Sequence, residues 1–212
     1  MDEPRYICIE GVIGAGKTSL TRKLGEHLNA QIIYERPEEN PFLQDFYDDP
    51  QRFAFQTQMF FLLSRYRQQL ESFQQPSLFH EYTVSDYLFA KDRIFAHLNL
   101  EDRELLLYDK VAKLLEREIP KPDLVVYLQS APERLMANIR NRGRSYERNM
   151  SEDYIRALNE AYNKFFFHYN DTALLVINCT LIDFVNNDDD FKELTRQIMR
   201  PHSGLEFYSP GQ

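Results

Sequence analysis

The sequence predicts an α/β fold in three layers, with a five-stranded parallel sheet flanked by helices. Three observations carry this expectation. Strand-like apolar segments at 5–9, 31–34, 77–84, 123–128 and 174–179 each lead into a helical pattern. Strands that alternate with helices build parallel sheets through right-handed crossovers. A glycine-rich run, "EGVIGAGKTS" over 10–19, lies between the first strand and the first helix. An arginine-dense run, "NIRNRGRSYERN" over 138–149, stands out in a chain of formal charge −8.

The elements follow in order. "YICIE" is short, apolar and β-rich, which reads as a buried strand. The first helix, near 17–29, places Leu20, Leu24 and Leu28 on one stripe. Further helices are expected near 50–73, 85–98, 101–118, 131–141, 151–169 and 188–200. Cys8 and Cys179 fall in predicted strands and read as small core residues. No repeat, linker or low-complexity run divides residues 1–212, so a single domain is expected. The tail "PHSGLEFYSPGQ", from 201 to 212, has no period and is expected to be mobile or to form an interface arm.

Composition narrows the function classes. Apolar residues make up 43% and charged residues 27%, an ordinary globular balance. The net charge of −8 argues against a nucleic-acid partner, since readers of phosphate backbones are usually basic. The start "MDEPRY" is acidic and lacks the apolar run of a signal peptide. No stretch approaches the 18 or so consecutive apolar residues of a membrane span. A cytoplasmic protein without a membrane partner is the expectation.

The glycine run carries the chemistry. Gly11, Gly16, Lys17 and Thr18 fit the spacing G-x-x-x-x-G-K-[ST] between a strand and a helix. In that geometry backbone N–H groups and a helix N-terminus form a nest for phosphate. Gly11, Gly14, Ala15, Gly16, Lys17, Thr18 and Ser19 are the candidate phosphate contacts of a nucleoside triphosphate. Lys17 would reach the β- and γ-phosphates, and the Thr18 hydroxyl would ligate Mg²⁺.

Ligands of parallel sheets collect at the carboxyl ends of the strands. Glu35 follows the second strand there, where a carboxylate can accept a proton from an attacking hydroxyl. Glu81, assigned to the third strand, is the expected partner of Mg²⁺, and its neighbour His80 reads as a core histidine. The helix at 50–73 is apolar on nearly every face but carries Gln58 and Arg65 seven residues apart, on one side. An amide and a planar guanidinium suit the edge of a nucleobase. The surplus of apolar surface, with Phe53, Phe60, Phe61 and Leu63, suggests a helix between the core and a second subunit. Arg140, Arg142, Arg144 and Arg148, broken by Gly143, read as a lid over a phosphoryl-transfer site at about 138–150.

With these residues in hand, the chain resembles the deoxynucleoside kinase family, which shares the P-loop fold of thymidylate kinases. The likeness runs from about Tyr6 to Phe191 and rests on "IEGVIGAGKT", Glu35, "FYDDPQRFAFQTQ", "SRYRQQL" and "RGRSYE". The resemblance implies that Tyr47 and Glu147 hold the sugar 3′-hydroxyl and that Gln58 takes the base edge. Gln58 matches without a gap; Gln56 does not. It implies further that Arg65 and Asp86 pair in the base pocket, that Glu35 is the base for the 5′-hydroxyl, and that Arg142 and Arg144 bracket the phosphates. One departure stands out. The family's acidic-Arg-Ser triplet at the end of strand 3 is matched to Glu81, Tyr82 and Thr83, so its arginine is missing and Arg140 or Arg36 is left to compensate. Another lid arginine of the family falls at Asn138.

The expected activity is ATP-dependent 5′-phosphorylation of a deoxyribonucleoside, with ATP or another triphosphate as donor and Mg²⁺, in a homodimer built through the 50–73 helix. The expected order is deoxyadenosine first and thymidine poorest. A nucleoside monophosphate kinase and a nucleotide-binding switch are the alternatives.

Overall fold

The structure is a computed structural model that describes residues 3–74, 79–148 and 150–210. Its centre is one parallel sheet in the order β2-β3-β1-β4-β5-β6. The strands are β1 (Tyr6–Gly11), β2 (Gln31–Ile33), β3 (Thr83–Ser85), β4 (Leu124–Gln129), β5 (Ala173–Asn178) and β6 (Leu205–Tyr208). The central strands are apolar because both of their faces are covered. All six residues of β1 are buried, and five of the six in β4.

The helices are α1 (Lys17–Leu28), α2 (Leu43–Asp48), α3 (Pro50–Gln74), α4 (Asp92–Asn99), α5 (Asp102–Leu115), α6 (Pro132–Arg142), α7 (Glu152–Phe167) and α8 (Asp188–Met199). The predicted stripe of α1 is real at Leu20 and Leu24, each 0% exposed, and α1 packs on β1, β2 and β3. Across β4, Tyr127 stacks on Phe166 of α7 with ring centroids 4.4 Å apart. Its hydroxyl donates to Asn163 Oδ1 at 2.9 Å, so the buried polar end is satisfied. Cys8 and Cys179 are free and buried.

Several expectations change. The sheet has six strands, not five, because the tail supplies β6, paired in parallel with β5 from Leu174↔Leu205 to Ile177↔Tyr208. The tail shows no helical period because Leu205–Tyr208 form an edge strand, with Leu205 and Phe207 exposed on one side. The third strand is only Thr83–Ser85, whereas 77–84 was expected; 77 and 78 lie outside the described residues. The helix expected over 85–98 begins at Asp92, after a 3₁₀ turn at Phe89–Lys91. The short α2 has no sequence period long enough to reveal it.

Candidate active site

The loop between β1 and α1 folds as its glycines require. Gly14 and Gly16 have φ of 87° and 92°, the left-handed region that favours glycine. A Cβ on Gly14 would lie 2.6 Å from the carbonyl oxygen of Leu135, so the loop packs directly against α6. Asn138 of α6 tightens that contact by donating to the Gly14 carbonyl at 2.8 Å. Gly16 precedes α1 without a side-chain hydrogen bond to cap it, which leaves the first amides of the helix to an anion. Lys17 Nζ donates to the carbonyls of Gly11 (2.7 Å) and Val12 (3.2 Å). Burial, then the charge of Lys91, lowers its pKa to about 8. Ala15 is buried under the loop, and Ser19 lies in the first turn of α1.

Glu35 lies two residues past β2, among cations. Arg65 of α3 donates to its Oε1, and Lys91 Nζ donates to its Oε2 at 2.6 Å. Burial alone would raise the pKa of this carboxyl. Arg65 and Lys91 outweigh burial and hold it well below the usual carboxylate range. Arg65 also pairs with Asp92, at the start of α4, and its guanidinium lies 4.5 Å from the centroid of Phe61. Lys91 is 2% exposed and also sits 3.8 Å from Oε1 of Glu10. Glu10 is fully buried in β1, where its carboxylate accepts the backbone N–H groups of Gly11 (3.0 Å) and Leu88 (2.7 Å). Burial raises its pKa.

Asp86 follows β3 directly. Its Oδ1 accepts the backbone N–H of Glu35 at 2.6 Å, and its Oδ2 accepts the Thr18 hydroxyl at 2.8 Å. One carboxylate thus ties the end of β2 to the phosphate loop. Burial raises its pKa as well.

These groups face one cavity. Its walls include Lys17, Thr18, Glu35, Tyr47, Gln58, Arg65, Asp86, Lys91 and Asp92, and Arg142, Arg144 and Glu147 close it from the lid side. The lid is held by its own contacts. Arg142 grips the buried Glu147 through two hydrogen bonds of 2.6 and 3.2 Å. Arg144 donates to the Tyr146 hydroxyl at 2.7 Å, and Tyr146 lies parallel to Tyr47 with centroids 6.3 Å apart.

Four assignments need correction. Glu81 is not at the site: its side chain is 62% exposed and pairs with Arg5 at 3.3 Å, at the amino end of β3. The carboxyl end of that strand belongs to Asp86, so the residues after β3 are Asp86, Tyr87 and Leu88, again without an arginine. The partner of Arg65 in α4 is Asp92 and not Asp86, because Asp86 is turned toward Thr18. Arg140 and Arg36 are exposed and outside the cavity wall, Arg36 pairing with Glu39 at 3.2 Å. His80 is exposed, not a core residue.

The oxygen set fits a magnesium ion better with Asp86 than with Glu81. The Thr18 hydroxyl and the Asp86 carboxylate are adjacent hard oxygens beside the phosphate loop. Among the described residues no group of three or more His, Cys, Asp and Glu is arranged as a full ligand cage. That suits Mg²⁺, which keeps waters and takes substrate phosphates beside one or two protein oxygens. Lys91 and Asp92 were missed by the sequence reading. Their signal was two opposite charges directly before an apolar helix start, "KDRIFA".

A family model described as deoxynucleoside kinase matches residues 7–202. The chain belongs to the deoxynucleoside kinase family. A deoxyguanosine kinase of Bacillus subtilis (strain 168) is 31% identical over 202 residues, covering 93% of this chain and 98% of its own. A deoxyadenosine kinase of Dictyostelium discoideum is 33% identical over 210 residues, covering 97% and 82%. The deoxyadenosine kinase from M. mycoides, solved with bound dATP, has a TM-score of 0.79 at 24% identity, over 92% of this chain and 98% of that one. This last likeness shows the fold alone. The chain is therefore a kinase, a phosphotransferase whose acceptor is an alcohol group. Among the described residues no helix of this kinase is long and apolar enough to cross a membrane.

The Arg65 cluster generates a stability prediction. Arg65→Met leaves Glu35 and Asp92 without their shared cation, and breaking a buried pair from one side costs roughly 3–5 kcal/mol. Urea unfolding should show that loss, and adding Asp92→Leu should recover part of it. An unchanged midpoint in Arg65→Met would mean that the cluster is solvated.

Proposed function

We propose that this kinase transfers the γ-phosphoryl group of ATP, or another nucleoside triphosphate, to the 5′-hydroxyl of a deoxyribonucleoside in cytoplasmic nucleoside salvage. One observation carries the reading: a single cavity runs from Lys17 and Thr18 past Glu35 to Gln58, Arg65 and Asp92. Groups suited to donor phosphates, a proton acceptor and a base edge thus share one cavity. Residues Gly11 to Ser19 hold the triphosphate, with Lys17 on its terminal phosphates. Thr18 and Asp86 hold Mg²⁺, which draws negative charge from the phosphates when bound.

Glu35 is kept ionised by its cations and accepts the proton of the 5′-hydroxyl. Low basicity is compatible with this role. In a loose phosphoryl-transfer transition state the attacking oxygen becomes acidic as its bond to phosphorus forms, so the proton leaves late. Arg142 and Arg144 supply charge from the lid, and Tyr47 and Glu147 take the sugar 3′-hydroxyl. A carboxylate at the acceptor position also disfavours a monophosphate acceptor, which weighs for the nucleoside.

The base faces Gln58 and the Arg65–Asp92 pair, with Asp92 in the place the sequence reading gave to Asp86. A guanidinium beside a carboxylate offers donors and an acceptor together. Adenine answers with an exocyclic amine beside a ring acceptor. Thymine brings a methyl group instead. The outer face of α3, with Leu63 at 50% exposure and the partly exposed Phe53 and Phe60, joins a second protomer in this reading.

Three measurements test the proposal. Steady-state kcat/KM with Mg-ATP should rank deoxyadenosine first, deoxyguanosine or deoxycytidine next and thymidine last; thymidine as best substrate would remove Arg65 and Asp92 from the base pocket. Glu35→Gln should lower kcat by roughly 10²–10⁴, the range of general-base loss, with much less effect on nucleoside binding. Collapse of binding with turnover of the bound substrate preserved would make Glu35 a binding group only. Light scattering at micromolar concentration should give the mass of a dimer, and a monomer would sink the α3 interface.

A further inference from the structure

The proposed reaction uses one buried cation of the cavity only to hold Glu35 ionised. Lys91 ends the 3₁₀ turn between β3 and α4, is 2% exposed, and still belongs to the cavity wall. Burying an ammonium is costly unless it is paired, and two carboxylates meet it there. They differ in kind. Glu10 is fixed by two backbone N–H groups deep in the sheet and lies 3.8 Å from Nζ. Glu35 faces the cavity and lies at 2.6 Å. A lysine that only neutralised Glu10 would lie closest to Glu10. This one points past its anchor to the carboxylate at the acceptor.

The other cations of the cavity have roles of their own in the proposed reaction, and each also has a protein partner. Lys17 rests on the loop carbonyls, Arg65 on Glu35 and Asp92, Arg142 on Glu147 and Arg144 on Tyr146. Arg36 and Arg140, the residues expected to stand in for the arginine missing after β3, lie outside the cavity wall. Tyr87 follows Asp86 at that point and is turned to Gln68, to which its hydroxyl donates at 3.1 Å.

We propose that Lys91 is a catalytic residue of this kinase, whose ammonium passes from Glu35 to the attacking oxygen and the transferring phosphoryl group. This rests on the 5′-phosphorylation reading. In the step, the O5′–Pγ bond forms while the bond from Pγ to the β,γ-bridging oxygen breaks. The nucleoside diphosphate leaves, and the 5′-hydroxyl proton goes to Glu35. Lys91 takes no part in the proton transfer and neutralises charge on the phosphoryl oxygens from the acceptor side, opposite Lys17. The ammonium turns from Glu35 as the O5′–Pγ bond forms, so its charge is in place before the proton reaches Glu35.

The test compares Lys91→Met and Lys91→Arg with wild type, in kcat, in nucleoside dissociation constant by calorimetry and in melting temperature. Loss of one well-placed charge donor in a closed site costs roughly 10²–10³ in kcat. We expect that loss in Lys91→Met with nucleoside affinity within about threefold, and recovery of at least about tenfold in Lys91→Arg, in line with an electrostatic role. If Lys91→Met does not fold, its combination with Glu10→Gln removes the charge left unpaired and carries the same measurement. An active wild type whose Lys91→Met variant keeps kcat within about twofold overturns this assignment alone, as does an affinity loss that accounts for the whole effect. A wild type that phosphorylates no deoxynucleoside overturns the proposed reaction and this assignment together.

Discussion

Glu35 is the residue on which the site converges. Its carboxylate is ionised because Arg65 and Lys91 share it, and its backbone N–H is fixed by Asp86. Four chain segments are thereby joined: the end of β2, the end of β3, the middle of α3 and the turn before α4. None of these contacts survives alone. A carboxylate buried without the cations would be protonated, and burying the cations without the carboxylates would be costly. The parallel sheet brings the segments together, because all of its strands end on one side, and the charges then specify how they meet.

The phosphate loop obeys a steric constraint where the acceptor site obeys an electrostatic one. Gly14 is held so close to α6 that any side chain would collide with the Leu135 carbonyl, and Asn138 of the same helix reaches back to the loop. Since α6 leads into Arg142, Arg144 and Glu147, the loop and the lid share one rigid support. Asn138 occupies a position where the family carries an arginine. Here the residue serves packing between loop and helix, and the lid charge is left to Arg142 and Arg144.

Much of this was legible in the chain. The G-x-x-x-x-G-K-T spacing fixed both the loop and its neighbours, because a strand, a tight glycine turn and a helix can be combined in few ways. Gln58 and Arg65 could be paired from helical spacing alone. What failed was the region around β3. With only Thr83–Ser85 in the strand, its end could not be read from hydrophobicity, and Glu81 was placed at the site in place of Asp86, five residues away. That one shift also gave Asp86 the partner that belongs to Asp92. The 3₁₀ turn at Phe89–Lys91 has no period to announce it, so Lys91 read as one more charge on a helix. The tail failed for a similar reason, since the four residues of β6 alternate over too short a span to be told from loop.

The charge balance of the cavity explains why its parts must act together. Glu10, Glu35, Asp86, Asp92 and Glu147 face Lys17, Arg65, Lys91, Arg142 and Arg144, so carboxylates and cations balance before any ligand arrives. Such a wall is suited to a neutral nucleoside. In the proposed reaction the charge of the donor is met by a divalent ion at Thr18 and Asp86 and by Arg142 and Arg144. Excluding water from such a site lowers the local dielectric and strengthens every one of these interactions at once. In the proposed reaction acceptor selectivity and donor binding follow from the same arrangement, because the cations on the acceptor side are held by carboxylates and turn to the phosphoryl group as the O5′–Pγ bond forms.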